Sequence, residues 1–524
     1  MLLAMVLPLL AALLILVLGK RPNLRDLVPA LSALPVFGAV VSLAGPVFDG
    51  ARPGLTWTGP VPGFDLVLEL EPLGMLFALL ASGLWVINGV YSVGYMRGND
   101  EHHQTRFHAW LSCALPATLG IAFAGNLLTL FLFYELLTLS TYALVAHHGD
   151  EESRNSARVY LGTLLATSIG LLLPGIFWVL MLAGTTDFDQ LGAVGAQLSG
   201  WPLAVLLGLF VFGIGKAAVM PVHRWLPAAM VAPTPVSAVL HAVAVVKAGV
   251  FCMVKVFVYV FGTDTLAGLP EAQWVLWVAC FTVLVASVVA MRQTNIKRLL
   301  AYSTISQLSY VVLAVALLNP LGSLAATMHI LAHGFGKITL FFAAGALATA
   351  HGIKYVKQLD GIGRRMPFTM VAFSLGALSM IGLPPTAGFV SKWYMLMSAQ
   401  GSGQTLAVVT LLLSTLLNAG YFLPLLFRAW LLPLPAGAED AGSDAGSSAS
   451  SSAGSAAGSA AGSAAGNAAG NAAGNAAGNA ARGIAEAPLA MVVPLCITAT
   501  AILAFFLFHA PAVEMASRIP GVGP

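Results

Sequence analysis

Glu135 stands in the middle of the apolar stretch "LLTLFLFYELLTLS". Six basic residues, Lys216, Arg224, Lys247, Lys255, Lys337 and Lys392, likewise fall inside apolar runs. A charge at the centre of a bilayer costs about 3 kcal/mol on insertion scales. Ionisable residues in such places usually face a bundle interior or a hydrated cavity and mark routes for ions or protons. Burial penalises the charged form of a lysine, and a carboxylate close by favours it. Glu135 and Lys216 are therefore read as a switching pair, in which a change at the acid releases the proton of the lysine. In "MHILAHGFGKITLFF", His329, His333 and Lys337 recur at i, i+4 and i+8, which puts them on one face of a helix. The HxxxH spacing could ligate zinc, but no third protein ligand is evident nearby. No metal is assigned, and the stripe reads as a proton relay. His241 and Lys247, in "LHAVAVVKAGVF", add two further titratable groups; His241 reads equally well as a packed side chain.

Prolines mark where the backbone must open around these groups. Pro221 and Pro227 follow Lys216 closely in "GLFVFGIGKAAVMPVHRWLPAAM", and Pro384 and Pro385 precede Lys392 in "SMIGLPPTAGFVSKWYM". A proline inside a helix removes a backbone hydrogen bond and kinks or breaks it. In lipid the freed groups must face protein or water. Each break with its lysine therefore predicts a hydrated pocket, as in transporters built on broken helices.

The elements that must carry these residues follow from composition. The chain has 524 residues, 58 % hydrophobic and 9 % charged, against about 25 % charged in a soluble domain. That excludes a soluble enzyme. The net charge of +3 gives no reason to expect nucleic acid as a partner. Cys113, Cys252, Cys280 and Cys496 are scattered without CxxC spacing, so no iron–sulfur or zinc site is read from them. No cofactor is expected. The run from Met1 to Leu18 reads as a retained first helix rather than a cleaved signal.

With about 20 apolar residues per membrane helix, fourteen spans are expected, near 2–18, 27–48, 74–95, 108–124, 126–147, 157–183, 202–231, 235–260, 271–291, 297–318, 320–350, 367–398, 404–431 and 487–509. The fourth and fifth are joined by little more than Gly125 and Asn126, a tight hairpin. Sixteen of the 24 Lys and Arg fall in alternate loops, which predicts those loops to be cytoplasmic and both termini to face outward. Residues 434–486 repeat Ser/Asn-Ala-Ala-Gly and lack large apolar groups; they are expected to be a disordered linker. The two broken spans lie five apart. Five is odd, so a duplication of 108–260 and 271–431 would be inverted across the membrane.

Together these segments resemble the antiporter-like subunits of respiratory complex I and of Mrp-type cation/proton antiporters. The matching stretches include "NLLTLFLFYELLTLSTYALV", "GKAAVMPVHRWLPAAMVAPTPVSAVLHAVAVVKAGVF", "NIKRLLAYSTISQLSYV", "MHILAHGFGKITLFFAAGAL" and "GIGRRMPFTMVAFSLGALSMIGLPPTAGFVSKW", across residues 126–393. The resemblance implies an all-α membrane fold of fourteen helices with two inverted five-helix repeats after three N-terminal helices (1–107). It implies that Glu135, Lys216, Lys247, His329, His333, Lys337 and Lys392 form a mid-membrane proton relay. Lysine at position 392 leans toward the D-type component of the Mrp complexes. The partners implied are other membrane subunits of one complex, the bilayer, protons, and Na+ or K+. The alternative is a pump module of a redox complex driven by NADH or ferredoxin, a hydrogenase or a carbon-uptake complex. The chain has no redox centre of its own, so electron transfer would occur in partner subunits.

Overall fold

The computed structural model describes residues 1–59, 65–192, 194–434 and 483–522. Most of the expected linker lies outside the described residues. The chain is an all-α polytopic membrane protein: among the described residues, eleven helices are long and apolar enough to cross a bilayer. In chain order the main helices are α1 (Leu2–Val17), α2 (Pro22–Phe48), α3 (Pro72–Gly98), α4 (Gln104–Ala122), α5 (Leu127–Val145) and α6 (Glu151–Ala183), then α7 (Trp201–Gly213), α8 (Thr234–Phe261), α9 (Gln273–Met291), α10 (Ile296–Val315) and α11 (Pro320–His351), and finally α12 (Pro367–Ile381), α13 (Ala387–Gly401), α14 (Thr405–Leu431), α15 (Leu489–Leu507) and α16 (Ala510–Ser517).

Their starts are written in the sequence. Asn126, Asn295 and Asn319 cap α5, α10 and α11, each side-chain oxygen accepting a backbone N–H of the first turn. Asn126 also closes the expected hairpin, since α4 ends at Ala122 and α5 begins at Leu127. Proline at the first helical position opens α3, α11 and α12, where its missing N–H is harmless. The N-terminus of α12 is capped from far away. Glu486, at the edge of the expected linker, accepts from the backbone N–H of Phe368 and Thr369 at 2.7 and 3.1 Å.

Composition gave no sign of a small β-hairpin before α3. Strands β1 (Gly54–Trp57) and β2 (Leu66–Glu69) pair antiparallel with Leu55 opposite Leu68. Backbone bonds from Gly125 to Val67 and from Glu69 to Phe123 fasten it to the α4–α5 turn.

The helices sort by burial. The most apolar windows of α8, α11 and α10 are 100, 94 and 89 % buried, against 33 and 28 % for those of α1 and α2. The central three carry most of the histidines and lysines singled out above. A bundle interior is where such groups lose least by leaving water, because other polar groups can meet them there.

Both proline-rich segments break their helices. α7 stops at Gly213 and a turn of 3-10 helix, Gly215–Ala217, contains Lys216; a four-residue helix, Trp225–Ala228, resumes after Pro221. α12 stops at Gly382, whose φ of +91° is left-handed, and α13 resumes after Pro384 and Pro385. The sequence also placed Arg224 within a span. It lies in the first break and is exposed.

Candidate functional site

Lys216 sits in the open turn after α7 and is fully buried. Its ammonium donates to the Tyr134 carbonyl and to Thr138 Oγ1, both at 2.7 Å, and lies 3.1 Å from the centre of the Tyr134 ring. Its backbone N–H donates to Tyr134 Oη at 3.1 Å. All of these partners belong to α5, the helix of Glu135. The turn is held from the other side by Trp225, whose indole N–H donates to the Gly215 carbonyl at 3.0 Å.

Glu135 itself does not bond to Lys216. It is half-buried on α5, with both carboxylate oxygens shielded from solvent, although Leu132, Leu136 and Leu139 of the same helix are exposed. Neither carboxylate oxygen has a hydrogen-bond partner among the described residues. The expected pair is therefore two neighbours linked through space and through one helix, with Tyr134 and Thr138 in the contact position.

Lys247 comes next along the bundle. α8 passes directly against the Lys216 turn because residue 249 is glycine. A Cβ there would overlap the backbone of Lys216 and Ala217. α8 is itself interrupted at Val243 and Ala244, just before Lys247. From α8, the Lys247 ammonium reaches His333 Nδ1 on α11 at 2.5 Å.

The stripe His329, His333 and Lys337 lies on α11 as its spacing predicts, with all three residues buried. The two imidazoles stack with their centres 6.0 Å apart. Each member faces a different helix. His333 meets α8, His329 Nδ1 lies 2.8 Å from Ser391 Oγ on α13, and Lys337 donates to Ser303 Oγ on α10 at 2.8 Å. Next to Ser391, Lys392 turns back across the second break. It donates to the carbonyls of Met380 and Ile381 at 2.8 and 3.0 Å, the unpaired C-terminal end of α12, where a positive charge is favoured. Asn418 and Gln307 also reach the Met380 carbonyl, and Tyr421 joins Asn418 to Ser303.

The structure thus gathers Lys247, His333, His329 and Lys392 into one chain of near contacts, with Lys337 on a side branch. Lys216 lies across the Gly249 contact, and Glu135 lies on α5 without a hydrogen bond among the described residues. His241 is buried against Phe341, with ring centres 4.7 Å apart, and neither nitrogen has a partner among the described residues. The helpers Tyr134, Thr138, Ser303, Ser391 and Asn418 were not found from sequence. The set Ser414, Asn418 and Tyr421, at i, i+4 and i+7, was a legible polar stripe.

Lys255 has a partner that sequence reading also missed. Its ammonium lies 3.1 Å from Glu71 Oε1, and both side chains are buried. Tyr259 Oη donates to Glu71 Oε2 at 2.6 Å. Glu71 caps α3 through the N–H of Leu73 and Gly74 as well. Its position at a helix end disguised its burial.

Residues 124–418 match the family described as NADH:quinone oxidoreductase/Mrp antiporter, TM. NADH-quinone oxidoreductase subunit N of Desulforudis audaxviator is 33 % identical over 421 residues, covering 79 % of this chain and 82 % of that protein. A probable K(+)/H(+) antiporter component of Rhizobium meliloti is 33 % identical over 337 residues, 64 % of this chain but only 33 % of that much longer protein. In fold, the chain superposes on one from the Mrp complex of Dietzia sp. with a TM-score of 0.81, at 22 % identity, covering 99 % of this chain and 97 % of that one. A chain of the membrane-bound sulfane sulfur reductase, an archaeal respiratory complex, gives 0.80 at 21 % identity, with the same coverage of 99 % and 97 %. The chain belongs to the NADH:quinone oxidoreductase/Mrp antiporter transmembrane family.

Proposed function

We propose that this chain is the proton-translocating, D-type member of a multi-component monovalent cation/proton antiporter of the Mrp class. Protons move along Glu135, Lys216, Lys247, His333, His329 and Lys392, with Lys337 tuning the middle. The observation that carries the reading is the Lys247–His333–His329–Ser391 succession beside Lys392, because it joins titratable groups from α8, α11 and α13 inside a bilayer, where ionisable side chains usually mark ion or proton routes. The rest of the proposal follows the sequence. α7 with Trp225–Ala228, and α12 with α13, each count as one broken crossing. That gives fourteen crossings, inverted repeats over 108–260 and 271–431, and both termini on the outer side of a bacterial plasma membrane.

A second reading is favoured by the Desulforudis oxidoreductase relative, which this chain covers for most of its length. In that reading the same relay is driven by redox partners. The purified complex in sealed vesicles separates the two. Proton movement on adding Na+ or K+ supports the antiporter; movement only on adding an electron donor and quinone replaces it with the pump. In either case Lys392→Ala and Lys392→Arg should both impair transport, since Arg keeps its charge and does not give up a proton. Full activity of the Arg variant would leave Lys392 as a fixed charge at the end of α12.

A further inference from the structure

Helix α3 lies outside the two proposed repeats, yet one of its faces is polar. Asn88, Ser92, Tyr95 and Asn99 recur at i, i+4, i+7 and i+11, a single stripe on an apolar helix. The C-terminal end of the stripe opens to solvent. Tyr95 and Asn99 line a polar cavity of about 890 Å³ beside Glu101, His148, Thr234 and Lys297. The other end is closed. Asn88 and Ser92 are fully buried, and Asn88 Oδ1 and Nδ2 and Ser92 Oγ have no hydrogen-bond partner among the described residues.

Leaving such a group unsatisfied costs about 1–3 kcal/mol, and buried polar groups without protein partners are where ordered water is found. The stripe spans eleven residues, or roughly 16 Å at 1.5 Å per residue. That is about half of a hydrocarbon core of about 30 Å. It starts at an open cavity and ends near mid-membrane.

The helix opposite supplies the destination. α3 and the first part of α8 pack together, and Tyr95 and Thr234 line the same cavity. α3 runs toward the cavity and α8 away from it. Seven residues inward from Tyr95 and Thr234 lie Asn88 on α3 and His241 on α8, each on the same face of its helix as the cavity residue. His241 is likewise fully buried, and neither ring nitrogen is paired among the described residues. It lies within electrostatic reach of Lys337.

We infer that the polar face of α3 is a hydrated proton inlet, running from the cavity past Tyr95, Ser92 and Asn88 to His241 and on to the α11 lysine and histidines. The inference rests on the relay proposed above and adds α3 to it. Water carries the proton along the stripe; Asn88 and Ser92 hold that water and do not titrate.

Two measurements test it. In a background lacking Cys113, Cys252, Cys280 and Cys496, Ser92→Cys should react with a small membrane-impermeant thiosulfonate added from the side of Arg97 and not from the other. Asn99→Cys serves as the positive control. An unreactive Cys at 92 with a reactive one at 99 overturns the inlet, whatever transport does. Asn88→Leu fills the same space without polar atoms. It should raise the thermal stability of the complex while lowering proton transport about tenfold; Asn88→Ser should keep most transport. Unchanged transport in Asn88→Leu, with Glu135→Gln inactive, overturns the inlet and leaves the relay standing. If Glu135→Gln is also fully active, the relay fails first.

Discussion

Glu71 and Glu135 are both carboxylates set near lysines inside the bundle, and the fold treats them oppositely. Glu71 accepts four hydrogen bonds, from Leu73, Gly74, Lys255 and Tyr259. A carboxylate has about four acceptor sites, so it is saturated. Lys255 is also held by the Ala124 carbonyl at 2.7 Å. That site ties the start of α3 and the α4–α5 turn to the last turns of α8. Glu135 accepts none among the described residues, and its lysine neighbour is satisfied by a carbonyl and a hydroxyl instead. A charge with every site filled is anchored, because any movement breaks several bonds. A charge with none filled can change its protonation or its partner at little cost. The same residue types therefore serve as a fastening in one place and as a candidate switch in the other.

The largest expected effect is at the saturated site. Glu71→Ala leaves Lys255 buried without its counter-ion, which typically costs about 3–5 kcal/mol. It should sharply lower the yield and melting temperature of the assembled complex in detergent; a melting temperature near that of the parent would erase the distinction between the two acids. Glu135→Gln is the converse. Assembly on native gels should be normal while proton transport falls at least about tenfold, equivalent to about 1.4 kcal/mol in a barrier. Normal transport at matched protein levels would remove Glu135 from the relay.

A smaller effect should follow Gly249→Ala, which pushes α8 off the Lys216 turn. Overpacking costs about 1–3 kcal/mol, spread over a helix that can shift. Transport should fall a few-fold more than assembly does. Equal losses in both would mean that the contact only packs.

The smallest effect belongs to an acid–base pair near solvent. His148 Nε2 lies 3.3 Å from a Glu101 oxygen outside the spans. Glu101 raises the pKa of His148 through a side-chain hydrogen bond, and His148 lowers that of Glu101 in the same way. His147 and His102 also face Glu101, and Asp150 and Lys297 face His148. The raised histidine contributes stability that is full below its unfolded pKa of about 6.5 and is lost as pH rises through the folded value. The lowered acid contributes stability present above its unfolded pKa and lost as pH falls through the folded one. The window lies between the two folded values. Both groups are part-exposed, so the gain is below about 1 kcal/mol. Melting of His148→Asn should fall below the parent near pH 6 and converge with it by about pH 8.5; a constant gap across that range would refute the pairing.

Charges were legible in the sequence because they stand out in apolar runs, and breaks because proline forbids the continuing bond. Lys216, Lys247, the α11 stripe and Lys392 lie where their patterns placed them. Their partners were not legible. Hydroxyls such as Thr138 and Ser391 are ordinary in membrane helices, and carbonyls such as those of Tyr134 and Met380 carry no sequence signal. Lys247 and His333 are 86 positions apart, so only the tertiary fold brings them together. The interruption at Val243 and Ala244 has no proline to announce it. Glu71 gave no signal because it stands at a helix end, although a cap can be as deeply buried as any core side chain.

Helix α15 packs against α3, α11, α12 and α13, and Gly94 leaves room on α3 for Ala490 and Met491. Just ahead of it, Glu486 fastens to the start of α12. These four helices are all synthesised before it. During translation the seam between α3 and the second broken helix therefore stands open to lipid until residue 507 has left the ribosome. The half-built protein can be inserted, but that seam closes only when α15 packs into it.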